Sequence, residues 1–259
     1  MKKRMITTMA LTLSIIVSLA ACGEKKDNAG VDDGKIVVGT NAEYEPFEYL
    51  DEDGNLQGFD IELMNAVAER ADMEIEWIDM AFDSLIGSME AGNVEMIAAA
   101  IGPTAEREKS CDFSEVYYSG YQSIVTVKGT EYKTFEELKG KTIAVLEGSM
   151  SDMIASGENQ DYGEVEAKEV KRFKNATQAI QELENGAADA VITDAVIADK
   201  FVTDRDGALT GNEVEGTGED SVFAIKKGDT KLVETINKAL KELQDDGTYD
   251  EIYNKYFAE

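Results

Sequence analysis

The sequence predicts an α/β fold made of two similar lobes, and three observations support this. Short apolar runs of strand length alternate along the chain with segments whose apolar residues recur at helical spacing. Such alternation is typical of mainly parallel sheets that are flanked by helices. The 259 residues suffice for one large domain or two of ordinary size, and a weak internal repeat favours two.

The repeat pairs residues 35–39 with 141–145, and residues 89–97 with 183–191. In each member of the second pair, a helical segment ends at a glycine, and an acidic residue then leads into an apolar strand. Because any two units of helix, glycine and strand look alike, the repeat alone leaves open whether the halves are a duplication.

The first half of the chain predicts three strands and two helices. Asp60 is expected to cap a helix, because the apolar residues that follow it recur every three or four positions. The second helix is short and stops at Gly92, a residue type that favours helix ends. In order, the predicted elements are a strand at 36–39, a turn at 51–55, the helix from Asp60, a strand at 75–78, the helix at 85–89 and an apolar strand at 96–101.

The second half repeats this plan and then closes the molecule. Thr134 and Glu137 form a capping box for a helix that ends at Gly140, and Asn175 caps another helix. The other predicted elements are strands at 142–146, at 190–193 before Asp194 and at 222–225, a helix with a strong apolar stripe at 232–243 that ends at Gly247, and a last short helix around 249–256.

Charge and composition exclude several classes of protein. With 53 acidic and 25 basic residues, the chain has a formal charge of −28 and would repel nucleic acids. It has no histidine, which excludes Ser-His-Asp catalysis and imidazole metal sites, and two cysteines cannot form a Cys₄ site. The acidic turn at 51–55 lacks the ligand spacing of a calcium loop. We interpret it as a solvated turn and predict no metal site.

The first 21 residues have the pattern of an export signal. Three basic residues precede an uncharged, mostly apolar run at 5–21, which is slightly short for a membrane-spanning helix. Residues 19–23 resemble a bacterial lipobox, in which cleavage before Cys22 is followed by lipidation of its thiol. The alternative is a plain secretory signal with an incidental cysteine. Residues 22–34 are polar and aperiodic, and we interpret them as a flexible tether.

Five segments, in this order along the chain, resemble family 3 of the bacterial extracellular solute-binding proteins, which bind polar amino acids. They include Gly-Phe-Asp at the first helix and Asp-Gly-Thr-Tyr near the C-terminus. The segments are 40–49, 58–63, 104–107 with 112–114, 189–194, and 246–257. The resemblance implies a type II periplasmic-binding-protein-like fold with two hinge crossovers. Lobe 1 would comprise 35–119 plus 220–259, and lobe 2 would comprise 120–219.

Two charged residues are the main candidates for binding a zwitterion. Burying both charges of a free amino acid is costly unless each meets an opposite charge. The guanidinium of Arg107 matches a carboxylate, and Asp194 can accept from an ammonium group. Because each follows a predicted parallel strand, both would face one cleft. Taken without the resemblance, Arg107 could instead form a surface ion pair with Glu106 or Asp112, and Asp194 could cap a helix.

The resemblance implies further ligand contacts, and it also shows a departure. Tyr44 and Phe82 would contact the ligand's side chain, unless they are core aromatics, and Ser149 and Met150 would help to hold the carboxylate. Gly102 stands where the family usually has a hydroxyl residue, so that hydroxyl is lost. The other implied site residues are Asn41, where members that bind cations often have Asp, and Ala100. Because Asn41 lacks a charge, we slightly favour a neutral polar ligand over a cationic one.

The resemblance implies a monomeric protein without cofactor or catalytic activity, anchored by its N-terminal lipid to the outer face of the cell membrane. Closure of two lobes would capture a free amino acid for delivery to the permease of an ABC transporter. Two alternatives stay open: an enzyme of the same fold, such as a prephenate or arogenate dehydratase, and an amino-acid sensor for a separate membrane receptor.

Overall fold

The computed structural model describes residues 35–159, 162 and 165–258. The predicted signal peptide, the lipidation site Cys22 and the tether up to residue 34 lie outside the described residues. Within the described part of the chain, no helix combines the length and the apolar character that a membrane crossing requires.

The first sheet has five strands around a parallel core. In spatial order they are β5 (Glu74–Asp79), β1 (Lys35–Thr40), β6 (Met96–Ile97), β13 (Ala224–Lys226) and β7 (Cys111–Phe113). β1 is parallel to both of its neighbours, whereas β13 is antiparallel to β6 and β7. A small antiparallel sheet, β2 (Glu43–Tyr44), β3 (Glu48–Leu50) and β4 (Leu56–Gln57), follows β1.

The second sheet has the same arrangement. Its strands in spatial order are β10 (Glu169–Phe173), β9 (Thr142–Leu146), β11 (Ala190–Asp194), β8 (Tyr118–Val127) and β12 (Leu209–Ser221). β9 is parallel to β10 and β11, and β8 is antiparallel to β11 and β12. The repeat at 35–39 and 141–145 therefore falls on the central parallel strand of each sheet.

The chain crosses between the two sheets twice, once between β7 and β8 and once between β12 and β13. The crossing segments are joined, because the Ser114 N–H donates to the Phe223 carbonyl at 3.0 Å and the Tyr117 N–H donates to the Ser221 carbonyl at 3.0 Å. The predicted two-crossover architecture is confirmed, and the limits of the lobes at 119/120 and 219/220 stay a prediction.

Seven α-helices cover the sheets in the described residues. They are α1 (Phe59–Arg70), α2 (Leu85–Glu90), α3 (Met150–Ala155), α4 (Ala176–Glu184), α5 (Ala195–Asp204), α6 (Thr230–Asp246) and α7 (Thr248–Phe257). Asn175 caps α4 as predicted, and α6 ends at Gly247, whose φ of 86° is easy only for glycine. Rings of α7 pack on Phe59 of α1, which is fully buried.

Three local predictions were wrong or too long. Gly58, rather than Asp60, occupies the N-cap of α1, because the Asp60 carboxylate is used by groups elsewhere in the fold. β6 ends at Ile97 instead of residue 101, since the chain turns toward the cleft at Ala100, where φ is 45°. The capping box at Thr134 is present, but the helix that it begins is a 3₁₀ helix, Phe135–Leu138.

Candidate functional site

A small cavity lies between the two sheets, at the carboxyl ends of their parallel strands. This is the place where open α/β sheets bind ligands. Eight of the nine predicted site residues line it: Tyr44, Phe82, Ala100, Gly102, Arg107, Ser149, Met150 and Asp194. The other lining residues, which sequence reasoning missed, are Ala99, Leu146 and Glu219.

Arg107 joins the two sides of this cavity. It begins a 3₁₀ turn, Arg107–Lys109, and its side chain is buried. One guanidinium nitrogen, Nη1, donates to the Gly102 carbonyl at 2.6 Å, and Nη2 donates to the Gly148 carbonyl at 2.9 Å. Burial lowers the pKa of Arg107 from its ordinary value, yet a guanidinium remains charged at neutral pH.

The alternative of a surface ion pair does not hold for Arg107. Glu106 pairs with Lys109 instead, and Asp112 pairs with Lys227 at 2.6 Å. The guanidinium lies 5.6 Å from the centre of the Phe82 ring, which provides a cation–π contact from the same side of the cavity.

Asp194 stands at the end of β11, directly before α5. It holds the N-cap position of α5, but its side chain makes no capping hydrogen bond there. Its Oδ1 instead accepts from the Gln122 side-chain amide at 2.8 Å, and Gln122 is its cross-strand neighbour on β8. Burial raises the pKa of Asp194.

Glu219 of β12 brings a second carboxyl group to the same place. It also accepts from the side-chain amide of Gln122, so one nitrogen contacts both carboxyl groups. Gln122 is fully buried, and its own Oε1 accepts from the Ser151 hydroxyl at 2.7 Å. Burial and the neighbouring charge of Asp194 raise the pKa of Glu219 well above its ordinary value.

The space beside Gly102 is occupied by Glu219 and its neighbour. A Cβ atom at position 102 would lie 3.2 Å from the Asp220 carbonyl oxygen and 3.5 Å from Glu219 Oε1. A side chain at 102 would therefore crowd the Asp220 carbonyl and meet Glu219 at an ordinary contact distance, which gives the departure at Gly102 a steric reason.

A buried carboxylate fixes the loop at Ala100. The Ala100 N–H donates to Asp60 Oδ2 at 2.7 Å, and the Tyr117 hydroxyl donates to the same oxygen at 2.6 Å. Burial outweighs these two hydrogen bonds and raises the pKa of Asp60 to about 7. The bond to Asp60 holds Ala100 at a φ of 45°, which is uncommon for a residue other than glycine.

The opposite wall is the turn before α3. The Ser149 hydroxyl donates to the Leu146 carbonyl at 2.8 Å and accepts from the Asp152 N–H at 3.2 Å, so it caps the helix. Asp152 Oδ2 in turn accepts from the Gly148 N–H at 3.0 Å. The Ser149 hydroxyl therefore has a structural role, and its predicted contact with a ligand stays a prediction.

The remaining predicted residues differ in where they lie. Tyr44 is buried against the cavity, with its hydroxyl 3.5 Å from the Thr193 hydroxyl and its ring stacked on Phe47. Asn41 is buried too, but it is not among the residues that line the cavity. Its amide donates to the Met80 carbonyl at 3.0 Å, so its predicted contact with a ligand also stays a prediction.

Comparison with known proteins decides the family. The sequence profile of the bacterial extracellular solute-binding proteins, family 3, matches residues 36–259. The chain belongs to this family. The arginine-binding extracellular protein ArtP of Bacillus subtilis (strain 168) is 34% identical over 264 residues, which cover 100% of this chain and 99% of that protein.

Solved structures of amino-acid-binding proteins have the same fold. An ancestral arginine-binding protein bound to arginine is 39% identical, with a TM-score of 0.80 over 87% of this chain and 99% of that one. An ancestral arginine-binding protein bound to glutamine is 38% identical, with a TM-score of 0.79 over the same shares of the two chains. An ancestral amino acid-binding protein described as a precursor of cyclohexadienyl dehydratase is 33% identical, with a TM-score of 0.77 over 87% and 96%. The predicted type II fold is thereby confirmed.

A second, larger groove of this family 3 protein opens beside the cavity and shares Tyr44 as a wall. Its charged residues include Glu45 and Asp204, and both pair with Lys200 at 3.1 Å. In the described part of the chain, no three His, Cys, Asp or Glu residues are grouped so that they could hold a metal ion.

Proposed function

We propose that this protein binds one free amino acid in the cavity between its lobes and delivers it to the permease of an ABC importer. The observation that carries the proposal is the position of Arg107 and Asp194. The two side chains have opposite charges and line one cavity, with Arg107 in the turn before β7 of the first sheet and Asp194 at the end of β11 of the second.

A zwitterionic amino acid matches this arrangement. The planar guanidinium of Arg107 would bind the α-carboxylate, and the carboxylate of Asp194 would accept from the α-ammonium group. Tyr44 and Phe82 would contact the ligand's side chain, and backbone groups at Ala100 and Met150 would complete the site. A ligand that touches both lobes stabilises the closed state over the open one, which is what capture requires.

The class of amino acid follows less directly from the residues. Asn41 supports a neutral polar ligand, whereas the relative ArtP is named for binding arginine. An ancestral arginine-binding protein is described in complexes with both arginine and glutamine. We therefore propose a polar amino acid, with arginine and glutamine as the first probes.

Calorimetric titration with a panel of amino acids tests the proposal. We expect one saturable site per chain for at least one polar amino acid. The absence of binding for the whole panel would contradict it. Incubation with prephenate and arogenate tests the enzyme alternative, for which we expect no product; turnover would replace the transport function with catalysis. Loss of amino-acid uptake in cells that lack the protein would separate transport from sensing.

We also propose that the protein acts as a monomer outside the cytoplasm, with Cys22 as its lipid anchor. The basic start, the apolar run and the residues before Cys22 support this location. Replacement of Cys22 by serine should release the protein from the membrane fraction into the medium. Retention of the variant on cells at the unaltered level would contradict the anchor.

A further inference from the structure

We propose that Asp194 and Glu219 act as one paired acid that matches the charge of the cavity to that of the ligand. The pair keeps a single shared proton when a neutral amino acid binds, and it releases this proton to solvent when a cationic amino acid binds. The inference deepens the proposed function and rests on it. It makes Glu219, which the sequence did not identify, a residue that sets the class of ligand.

The charged groups that line the cavity do not balance. One guanidinium, that of Arg107, faces two carboxyl groups, those of Asp194 and Glu219. If all three groups were ionised, the cavity would hold one negative charge in excess. A zwitterion brings equal positive and negative charge, so it leaves this excess unchanged. Because an uncompensated charge in a closed cavity is costly, either a proton or a cationic side chain of the ligand must supply the missing positive charge.

The second sheet holds the two carboxyl groups together. Their strands, β11 and β12, lie on either side of β8, which carries Gln122. The side-chain nitrogen of Gln122 donates to Asp194 Oδ1 at 2.8 Å and also to Glu219 Oε2. The Ser151 hydroxyl donates to the oxygen of the same amide at 2.7 Å, which fixes the end that faces the carboxyl groups. Because the two acids and Gln122 belong to one sheet, the pair stays assembled when the lobes open or close.

One proton fits between these carboxyl groups. Asp194 and Glu219 are hydrogen-bonded to each other, and a hydrogen bond between two carboxyl groups requires that one of them is protonated. Burial and the charge of Asp194 raise the pKa of Glu219 by more than Arg107 lowers it. Two adjacent carboxyl groups titrate as a unit, so the proton belongs to the pair. The ionisable side chains around the pair also include Tyr44 of β2, Glu48 of β3 and Tyr118 of β8, and burial raises the pKa of each, which keeps them neutral.

The charge of the ligand then decides whether the shared proton stays. With a neutral amino acid, the proton keeps the summed charge of the cavity and the ligand at zero. A cationic amino acid adds one positive charge, and loss of the proton to solvent restores the same sum. Retention of the proton beside a cationic side chain, or its loss beside a neutral one, would leave an uncompensated buried charge. One cavity can thus bind both classes of amino acid, and only cationic binding is coupled to proton release.

Proton release on binding is the direct test. Calorimetric titrations with arginine and with glutamine, in buffers that differ in their enthalpy of ionisation, give the number of protons released per ligand. At slightly acidic pH we expect about one proton for arginine and about none for glutamine, because the count equals the difference in bound protons between the free and the bound state. Equal counts for the two ligands would overturn the proposal, and so would binding of only one class of amino acid.

Glu219→Gln imitates the protonated pair permanently. Its side-chain oxygen can accept from Gln122 and its N–H can donate to Asp194, but it has no proton to release. We expect its affinity for glutamine to stay within about threefold of that of the unaltered protein. Its affinity for arginine should fall by about 10-fold to 100-fold, the effect of losing a charged partner. An equal loss for both ligands would contradict a role of Glu219 in setting the class of ligand.

Asp220→Asn is the matched control, because it removes the same charge from the next residue of β12. The Asp220 carboxylate is exposed and accepts from the Ser119 hydroxyl at 2.6 Å. The affinities of this variant for arginine and glutamine should both stay within about twofold of those of the unaltered protein, since exposed charges contribute little. A selective loss of arginine binding in Asp220→Asn would assign the effect to the overall charge of the strand and overturn the role of the pair.

The ratio of arginine affinity to glutamine affinity should depend on pH. The free protein and its glutamine complex hold the proton that the arginine complex lacks, so the ratio should rise by up to about tenfold per pH unit and level off above the pKa of the pair. In Glu219→Gln the ratio should stay constant over the same range. A ratio that is constant or falls with pH in the unaltered protein would overturn the proposal.

The same titrations distinguish this failure from failure of the proposed function. If no amino acid of the panel binds the unaltered protein, the proposed function fails and the paired acid fails with it. If arginine and glutamine bind with equal proton counts, capture of amino acids stands and only the paired acid fails. A cooperative thermal transition of each variant at the unaltered temperature shows that a changed affinity does not result from unfolding.

Discussion

On the first-sheet side of the cavity, Asp60 accepts the N–H of Ala100; on the second-sheet side, Asp152 accepts the N–H of Gly148. Both acceptors lie in the first turn of a helix, and both donors have positive φ, 45° at Ala100 and 75° at Gly148. The two walls are thus held by the same kind of bond between a helix carboxylate and a loop amide.

The partners of the two carboxylates differ. Asp60 is fully buried and has the neutral Tyr117 hydroxyl as its second donor. Asp152 pairs with Arg172 at 2.9 Å, and the Arg172 side chain is 40% exposed. The difference implies that pH controls the strength of the first wall, whereas ionic strength controls that of the second. Substitutions in the two walls, and of Arg107, which binds both walls, test this contrast.

Arg107→Ala should have the largest effect on binding. It removes the proposed partner of the ligand's carboxylate and the bonds to Gly102 and Gly148, which belong to opposite walls. We expect amino-acid affinity to fall by more than about 100-fold, the order of a lost charge-assisted pair in a desolvated site. Calorimetry measures the loss, and a cooperative thermal transition checks that the variant folds.

Lys109→Ala is the matched control, because Lys109 lies in the same turn but is mostly exposed. The amino-acid affinity of Lys109→Ala should stay within about twofold of that of the unaltered protein, because an exposed ion pair contributes little. The amino-acid affinity of Arg107→Lys should lie between those of Arg107→Ala and Lys109→Ala, since lysine keeps the charge and loses the planar fork. Unaltered affinity in Arg107→Ala would refute the carboxylate assignment.

Asp60→Ala should have the largest effect on stability. It leaves the Ala100 N–H and the Tyr117 hydroxyl without their acceptor in a buried place. We expect the free energy of unfolding to fall by about 2–4 kcal/mol, since each unsatisfied buried group costs about 1–3 kcal/mol. Urea unfolding measures this; a loss below about 1 kcal/mol would mean that the loop does not need Asp60.

Asp60→Asn tests the pH part of the contrast. The pKa of Asp60 rises from 3.8 to about 7 on folding, so the folded state holds a proton that the unfolded chain releases above pH 4. The stability that this proton on Asp60 provides is complete below pH ~4 and is lost as pH rises toward ~7. Stability of the unaltered protein should therefore fall across that window more steeply than stability of Asp60→Asn. Equal slopes would show that Asp60 does not titrate in this range.

Asp152→Asn should have a smaller effect that depends on salt. It removes the ion pair with Arg172 but keeps an oxygen that can accept from Gly148. Because Arg172 is partly exposed, we expect a loss of about 1 kcal/mol at low ionic strength. The loss should shrink toward zero near 1 M salt, where charges are screened within about 3 Å. Asp60→Asn should show no such salt dependence, and a salt effect of equal size in both variants would break the contrast.

Local patterns in the sequence sufficed for most elements, since apolar spacing and caps such as Asn175 depend on near neighbours. Asp60 was misassigned because its partners are distant in sequence, 40 residues away at Ala100 and 57 at Tyr117. Glu219 was missed for a similar reason. It reaches the cavity through the pairing of β12 with β8, in which the register shifts between Glu213 and Gly218, and no short motif encodes that shift.

Two glycines on opposite walls give the smallest and most specific contrast. Gly148 has a φ of 75°, and a Cβ there would meet Asp83 only at an ordinary 3.4 Å. Gly148→Ala should therefore cost about 1–2 kcal/mol of stability through backbone strain.

Gly102 lacks a positive φ, but its Cβ would lie 3.2 Å from the Asp220 carbonyl oxygen and 3.5 Å from Glu219 Oε1. Gly102→Ala should cost less than about 1 kcal/mol of stability yet weaken binding several-fold, because its Cβ crowds the Asp220 carbonyl, directly after the cavity residue Glu219. Urea unfolding and calorimetry on both variants separate the two effects. In the background of Glu219→Leu, the added effect of Gly102→Ala on affinity should be smaller, and full additivity would show that Gly102 acts independently of Glu219.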